Sequence, residues 1–167
     1  MIIIVYKTFI KLLYNGIETG AFSSFTGKLL YRCSRINKSE IEKVIEYKNM
    51  GKLNNIVVFS KAFLSFSESE SKAMNFLGET NDKFIGILFI LENYNISKQE
   101  SNADIQDFSA FKSEREILFF PGSSFVIKDI NYIDNTNNNR VKIILNYNGK
   151  FKEKYNLIYS NKKKLMI

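Results

Sequence analysis

The sequence predicts an α+β domain, on three observations. Two Ser-x-x-Glu pairs, Ser39 with Glu42 and Ser67 with Glu70, each stand before apolar residues at helical spacing, the signature of a capped helix. Apolar, β-prone runs crowd the second half of the chain, which therefore reads mostly as sheet. Neither an internal repeat nor an interdomain linker divides the 167 residues, so they read as one domain: a helical lead-in (1–27), a core (28–160) and a basic, solvated tail (161–167) around Lys162, Lys163 and Lys164.

The opening run from Ile2 to Tyr14 is largely apolar but broken by Lys7 and Lys11. It is too short to cross a bilayer and lacks a small-residue cleavage pattern, so a helix packing through Phe9, Ile10 and Leu13 is expected, with a signal peptide as the alternative. Leu29 to Arg32 reads as a buried strand whose charge demands a partner. Ser39 is expected to cap a helix with Ile41, Val44 and Ile45 on its apolar face and Gly51 at its end. Ile56 to Phe66 is β-prone throughout, and Ser67 is expected to cap a helix carrying Ala73, Phe76 and Leu77 on one face and closing at Gly78. Phe84 to Leu91 is apolar without alternation, as a central strand requires.

A polar loop is expected from Glu92 to about Asp107, then a strand over Glu114 to Phe120 stopped by Pro121-Gly122, the former the only proline of the chain. Strands near Phe125–Ile130 and Val141–Tyr147 flank the Asn-rich connector from Asn135 to Asn139. Asn148-Gly149 is expected to turn the chain into a last strand at Tyr155–Tyr159.

Composition removes whole classes of chemistry. The chain has no histidine, so Ser-His-Asp and Cys-His nucleophiles, His zinc sites and a histidine base are excluded. Its single cysteine, Cys33, forms no internal disulfide and no thiolate cluster, which suits a reducing compartment. The eight glycines include no Gly-x-Gly pair, so a dinucleotide-binding turn of the Rossmann type is excluded, and the Gly-x-x-x-x-Gly-Lys-Ser/Thr signature of a P-loop is absent as well. The net charge of +7 comes from 24 Lys+Arg against 17 Asp+Glu, and the lysines are interspersed with acids. No nucleic-acid-binding motif emerges, so nucleic acid is not an expected partner.

What remains is the chemistry of carboxylates, hydroxyls and cations. In a strand, Glu114 and Glu116 project from one face roughly 6–7 Å apart, where at least one seeks a cation or a hydrogen bond. Spacing alone leaves open an exposed edge-strand face, as it leaves open an ordinary salt bridge for Arg32 and a turn hydroxyl for Ser65. Their order along the chain is more telling: Tyr31-Arg32 at a strand end, Phe63-Leu64-Ser65-Phe66-Ser67 before a helix, then Glu114-Arg115-Glu116-Ile117-Leu118 opening a strand.

In that order the sequence resembles the arginine-specific mono-ADP-ribosyltransferases, the cholera-toxin-like and ecto-enzyme group marked by Arg, Ser and Glu-x-Glu, over about Leu29 to Ile130. Cys33, where a glycine commonly follows the motif arginine, and Phe66, in place of a small middle residue of the serine motif, depart from the pattern. The resemblance implies two packed, mainly antiparallel sheets with flanking helices around an NAD cleft. It implies transfer of ADP-ribose from NAD to an arginine of a target protein, with nicotinamide released and no metal required.

By the same resemblance Glu116 holds the ribose and stabilises the sugar cation, and Glu114 orients and activates the acceptor guanidinium as a base or an electrostatic guide. Arg32 clamps the NAD diphosphate or ribose beside Tyr31, and Ser65 holds the NAD-binding strand and positions the catalytic glutamate or the nicotinamide ribose. Phe108 and Phe111, in the loop that begins near Ala103, form an aromatic lip toward the protein substrate or serve as loop anchors. NAD hydrolysis with water as acceptor, and a catalytically silent interaction domain on the same fold, are the alternatives. The expected setting is the cytoplasm, or a host cytosol into which the protein is delivered, with no membrane span.

Overall fold

The computed structural model describes residues 15–16, 29–92, 102–107, 109, 112–133, 140–150 and 163–166. The expected helix before Tyr14, the aromatic pair Phe108 and Phe111 and the strand expected at Tyr155–Tyr159 lie outside these residues.

The elements run β1 (Leu29–Asn37), α1 (Lys38–Asn49), a short 3-10 turn (Leu53–Asn55), β2 (Ile56–Phe59), β3 (Leu64–Ser67), α2 (Glu70–Met74), β4 (Phe84–Glu92), β5 (Asn102–Asp104), a second 3-10 turn (Lys112–Glu114), β6 (Glu116–Phe119), β7 (Ser123–Tyr132), β8 (Arg140–Lys150) and β9 (Lys163–Met166). The α+β class holds. The strands form one sheet in the order β5-β6-β3-β1-β4-β8-β7-β2-β9, antiparallel except at β4–β8 and β2–β9. The expected two-layer packing arises because this one sheet folds over. Phe66 and Phe119 in one limb meet Phe125 in the other at ring-centroid distances of 6.0 and 5.5 Å, and Tyr147 closes on Phe119 at 5.8 Å. These rings join the aliphatic faces of β1, β4 and β8 and Ile41 and Val44 of α1 in the main core.

Folding the sheet over requires the chain to change limbs, and this divides the expected β run of 56–66. β2 pairs with β7 and β9, whereas β3 pairs with β1 and β6. Between them the backbone of Ser60 exchanges hydrogen bonds with the turn at Gly122-Ser123, pinning the crossing to the far strand connection. Phe84 to Leu91 is central as expected, flanked by β1 and β8.

Helix starts shift by two residues from the sequence expectation. Asn37 caps α1, its side chain accepting from Ser39 N at 3.1 Å, so Ser39 lies within the first turn. An Asx side chain competes well for this role, and the extended backbone of Asn37 leaves it in place. Lys48 near the end of α1 binds the Asp129 carboxylate at 2.8 Å and the Ile130 carbonyl at 2.6 Å, tying helix to β7. β8 runs through Asn148-Gly149 without turning back: Lys150 pairs with Ser123, and Gly149 at φ +88° absorbs the irregularity. The expected tail is in part a strand: the backbones of Lys163 and Lys164 pair with Ile56 and Val57 in β9.

Candidate active site

A gap in the sheet makes the site. β1 pairs with β4 along its whole length, from Leu29 opposite Glu92 to Asn37 opposite Phe84, yet meets β3 only where Tyr31 faces Ser67. Beyond that point the two strands part. Arg32 lies at the parting, and its Nη1 donates to the Ser65 carbonyl at 2.9 Å, a backbone acceptor left over by the missing ladder. The charge that the sequence reading found costly in a strand is thus partnered, through the Ser65 backbone rather than its hydroxyl.

Above the gap opens a cleft of about 550 Å³ lined by Tyr31, Arg32, Ser65, Ser67, Glu114 and Glu116. All the motif residues expected to act together border it. Tyr31, Ser67 and Glu116 stand side by side on one face because they are successive register partners across β1, β3 and β6. A smaller hollow of about 260 Å³ shares Arg32, Ser34 and Arg35 with this cleft and reaches Leu64 and Phe89.

The acidic pair reaches the cleft by a route other than the one expected. Glu114 ends a 3-10 turn, and Glu116 is the first residue of β6. Between them Arg115 has φ +47°, so simple strand alternation does not place both carboxylates. The turn is held from β3: the Ser67 hydroxyl donates to the Glu114 carbonyl at 2.6 Å. Ser67 is therefore not the helix cap. Ser69 caps α2, accepting from Lys72 N at 3.4 Å, while Ser67 Oγ accepts from Ser69 N at 3.1 Å.

Sequence reasoning missed Ser34, Arg35 and Phe76, which also line the cleft. Ser34 was legible, since it follows Arg32 by two residues in a strand. Phe76 was not: α2 ends at Met74, so the aromatic expected on its apolar face emerges at 63% exposure beside the cleft. Gly78, with φ +64°, lies two residues beyond.

Electrostatics follow burial. Burial pulls the Arg32 guanidinium below its ordinary pKa, opposed by the neighbouring Cys33 and Glu116 groups. Arginine nonetheless stays charged. Of its five N–H donors, one is used on Ser65 among the described residues, and the guanidinium borders the cleft with the others. Burial pushes the Cys33 thiol up to about 11, and its sulfur lies 3.5 Å from that of Met74, so it lines the inner wall of the cleft as a packed apolar group against α2. Among the described residues no cluster of three or more acidic or thiol side chains offers a metal site, and no helix is long and apolar enough to cross a membrane.

A guanidinium, a serine strand and two carboxylates around one cleft are what the motif resemblance called for, and a family profile described as ADP-ribosyltransferase exoenzyme matches residues 3–149. The chain belongs to the ADP-ribosyltransferase exoenzyme family. Solved structures of ADP-ribosyltransferases share the fold. Vis toxin from Vibrio splendidus matches at TM-score 0.58 and 20% identity over 84% of this chain and 54% of its own. Vis bound to agmatine matches at 0.55 and 22% over 74% and 50%. The Salmonella SpvB ATR domain matches at 0.55 and 16% over 86% and 72%. This exoenzyme-family chain spans about half the length of the Vis structures it matches. No curated protein matches its sequence.

Proposed function

We propose that this chain transfers ADP-ribose from NAD to an arginine side chain of a target protein and releases nicotinamide. The observation that carries the reading is the convergence of Arg32, Glu114 and Glu116 on one cleft of about 550 Å³, a volume typical of sites for nucleotide-sized ligands, about 300–1,000 Å³. The donor set fits NAD: the other Arg32 donors suit the diphosphate, and no glycine loop competes for that role.

In the proposed reaction the bond from ribose C1 to the nicotinamide nitrogen breaks, and nicotinamide leaves neutral with the bonding electron pair. The sugar becomes electron-poor, as in glycoside hydrolysis, and Glu116 stabilises the developing charge. A guanidine nitrogen of the acceptor then bonds to C1 and gives up one proton, with Glu114 orienting it and receiving that proton. Tyr31 and Ser65 help hold NAD and the catalytic glutamate. The agmatine bound by Vis carries the same guanidine group as arginine, which makes agmatine a suitable acceptor probe. The setting that goes with this chemistry is a toxin or effector acting on proteins in a host cytosol.

The test uses labelled NAD with agmatine and with a mixed protein extract. Glu116→Ala is expected to remove both transfer and nicotinamide release by about 10²–10³-fold or more, the scale of losing a preorganised charge partner. Glu114→Ala is expected to lose transfer far more than hydrolysis. Equal activity in the parent and both variants refutes the assignment. Nicotinamide release indifferent to agmatine would instead make the protein an NAD glycohydrolase, and absence of NAD binding would make it a silent interaction domain.

A further inference from the structure

Two residues that do not border the cleft grip the acidic turn from behind. Arg115 is the only non-glycine residue with positive φ among those described, at +47°, a conformation that a side-chain-bearing residue keeps only when its surroundings hold it. Its holder is Glu68. The Arg115 guanidinium meets the Glu68 carboxylate at 3.2 Å, and the Arg115 carbonyl accepts from Glu68 N at 3.3 Å. Because Ser67 binds the Glu114 carbonyl, the dipeptide Ser67-Glu68 clasps the dipeptide Glu114-Arg115 side by side, immediately before Glu116 enters the ladder opposite Ser67.

We propose that Glu68 is a positioning residue, which through its ion pair with Arg115 fixes Glu114 relative to Glu116 and so sets how much ADP-ribose goes to a guanidine acceptor and how much to water. The inference rests on the transferase reading above. Glu116 is anchored by β6 pairing whatever happens to Arg115, so the chemistry at the sugar is insulated from the clasp. Glu114 lies in a 3-10 turn outside the ladder and depends on it. The ion pair is partly exposed, with side-chain exposures of 62% for Arg115 and 29% for Glu68, so its influence is modest and sensitive to salt.

The experiment measures nicotinamide release with and without agmatine for the parent, Glu68→Ala, Arg115→Ala, Arg115→Lys and the double variant Glu68→Ala/Arg115→Ala. The ratio of transfer to hydrolysis is expected to fall about twofold to fivefold in each alanine variant, the range a half-exposed ion pair supports, while hydrolysis stays within twofold of the parent. The double variant should be no worse than either single one, and Arg115→Lys should recover part of the ratio. Raising ionic strength from about 0.05 to 1 M should shrink the difference between parent and Glu68→Ala, a response a purely structural role would not give. Amide hydrogen exchange at residues 114–116 should quicken in both alanine variants. Unchanged exchange and an unchanged ratio overturn the clasp, as does a loss shared equally by transfer and hydrolysis. A parent that releases no nicotinamide refutes the transferase reading, and the partition with it, before any variant is compared; an active parent with the ratio of Glu68→Ala refutes the clasp alone.

Discussion

Replacing Arg32 by lysine separates its contact with Ser65 from the diphosphate binding proposed for it. The guanidinium reaches the Ser65 carbonyl across the β1–β3 gap at 2.9 Å and still presents other donors to the cleft, a planar fork serving two acceptors at once. A lysine ammonium keeps the charge but not the fork, so it satisfies the carbonyl or the NAD diphosphate and not both. One charge-assisted hydrogen bond is lost, about 1.5–3 kcal/mol. If it is lost toward NAD, KM rises by roughly 10- to 150-fold, because 1.4 kcal/mol is tenfold in an equilibrium constant. The interaction is uniform between ground and transition state, so kcat should change little. Initial rates of nicotinamide release across a wide range of NAD concentrations give both constants, and a thermal melt reports any cost of the weakened Ser65 contact. An unchanged KM together with an unchanged melting temperature, or a fall in kcat at constant KM, would refute the placing of the diphosphate at Arg32.

Two predictions concern stability. Because burial raises the folded-state pKa of Cys33 to about 11, its contribution is fully present below the unfolded thiol value near 9 and is lost as pH rises through 11. After allowance for solvent screening this amounts to about 1–2 kcal/mol, so denaturant midpoints of the parent should fall over that window and those of Cys33→Ala should fall less. Gly86→Ala would place a methyl 2.9 Å from Leu77 Cδ1 and 3.2 Å from Thr80 Cγ2, overpacking the seam between β4 and the segment after α2. A cost of about 1–2 kcal/mol is expected, seen as a Tm lower by roughly 3–6 °C, and Leu77→Ala in the same chain should absorb part of it; additive losses would contradict the contact.

How far the site was legible depends on the range of the interaction involved. The motif residues were readable through their order along the chain and its resemblance to the family, since taken singly Arg32, Ser65 and the Glu114/Glu116 pair fit, respectively, an ordinary salt bridge, a turn hydroxyl and an exposed strand face. Their convergence was readable only through the family resemblance, since Arg32, Ser65 and Glu116 are brought together by β1–β3 and β3–β6 contacts between distant segments. Local rules failed where two candidates compete within two or three residues, as with Asn37 against Ser39 and Ser69 against Ser67. They failed again at Glu114, where a positive φ at Arg115 replaced the alternation that the spacing suggested.

The linear order of residues, by itself, determined the class of fold, the apolar strands that must be buried, the absence of histidine and phosphate-loop chemistry, and the set of side chains available for a reaction. Those properties depend on composition and short-range periodicity, which are present before the chain folds. Only the tertiary structure decided that one sheet folds over into two layers, that β1 and β3 part after a single pair, and that the acidic turn is clasped from β3. The reason is physical: a strand's hydrogen bonds are satisfied by whichever segment arrives beside it, and where no partner arrives the exposed backbone becomes a place to hold an arginine and open a cleft.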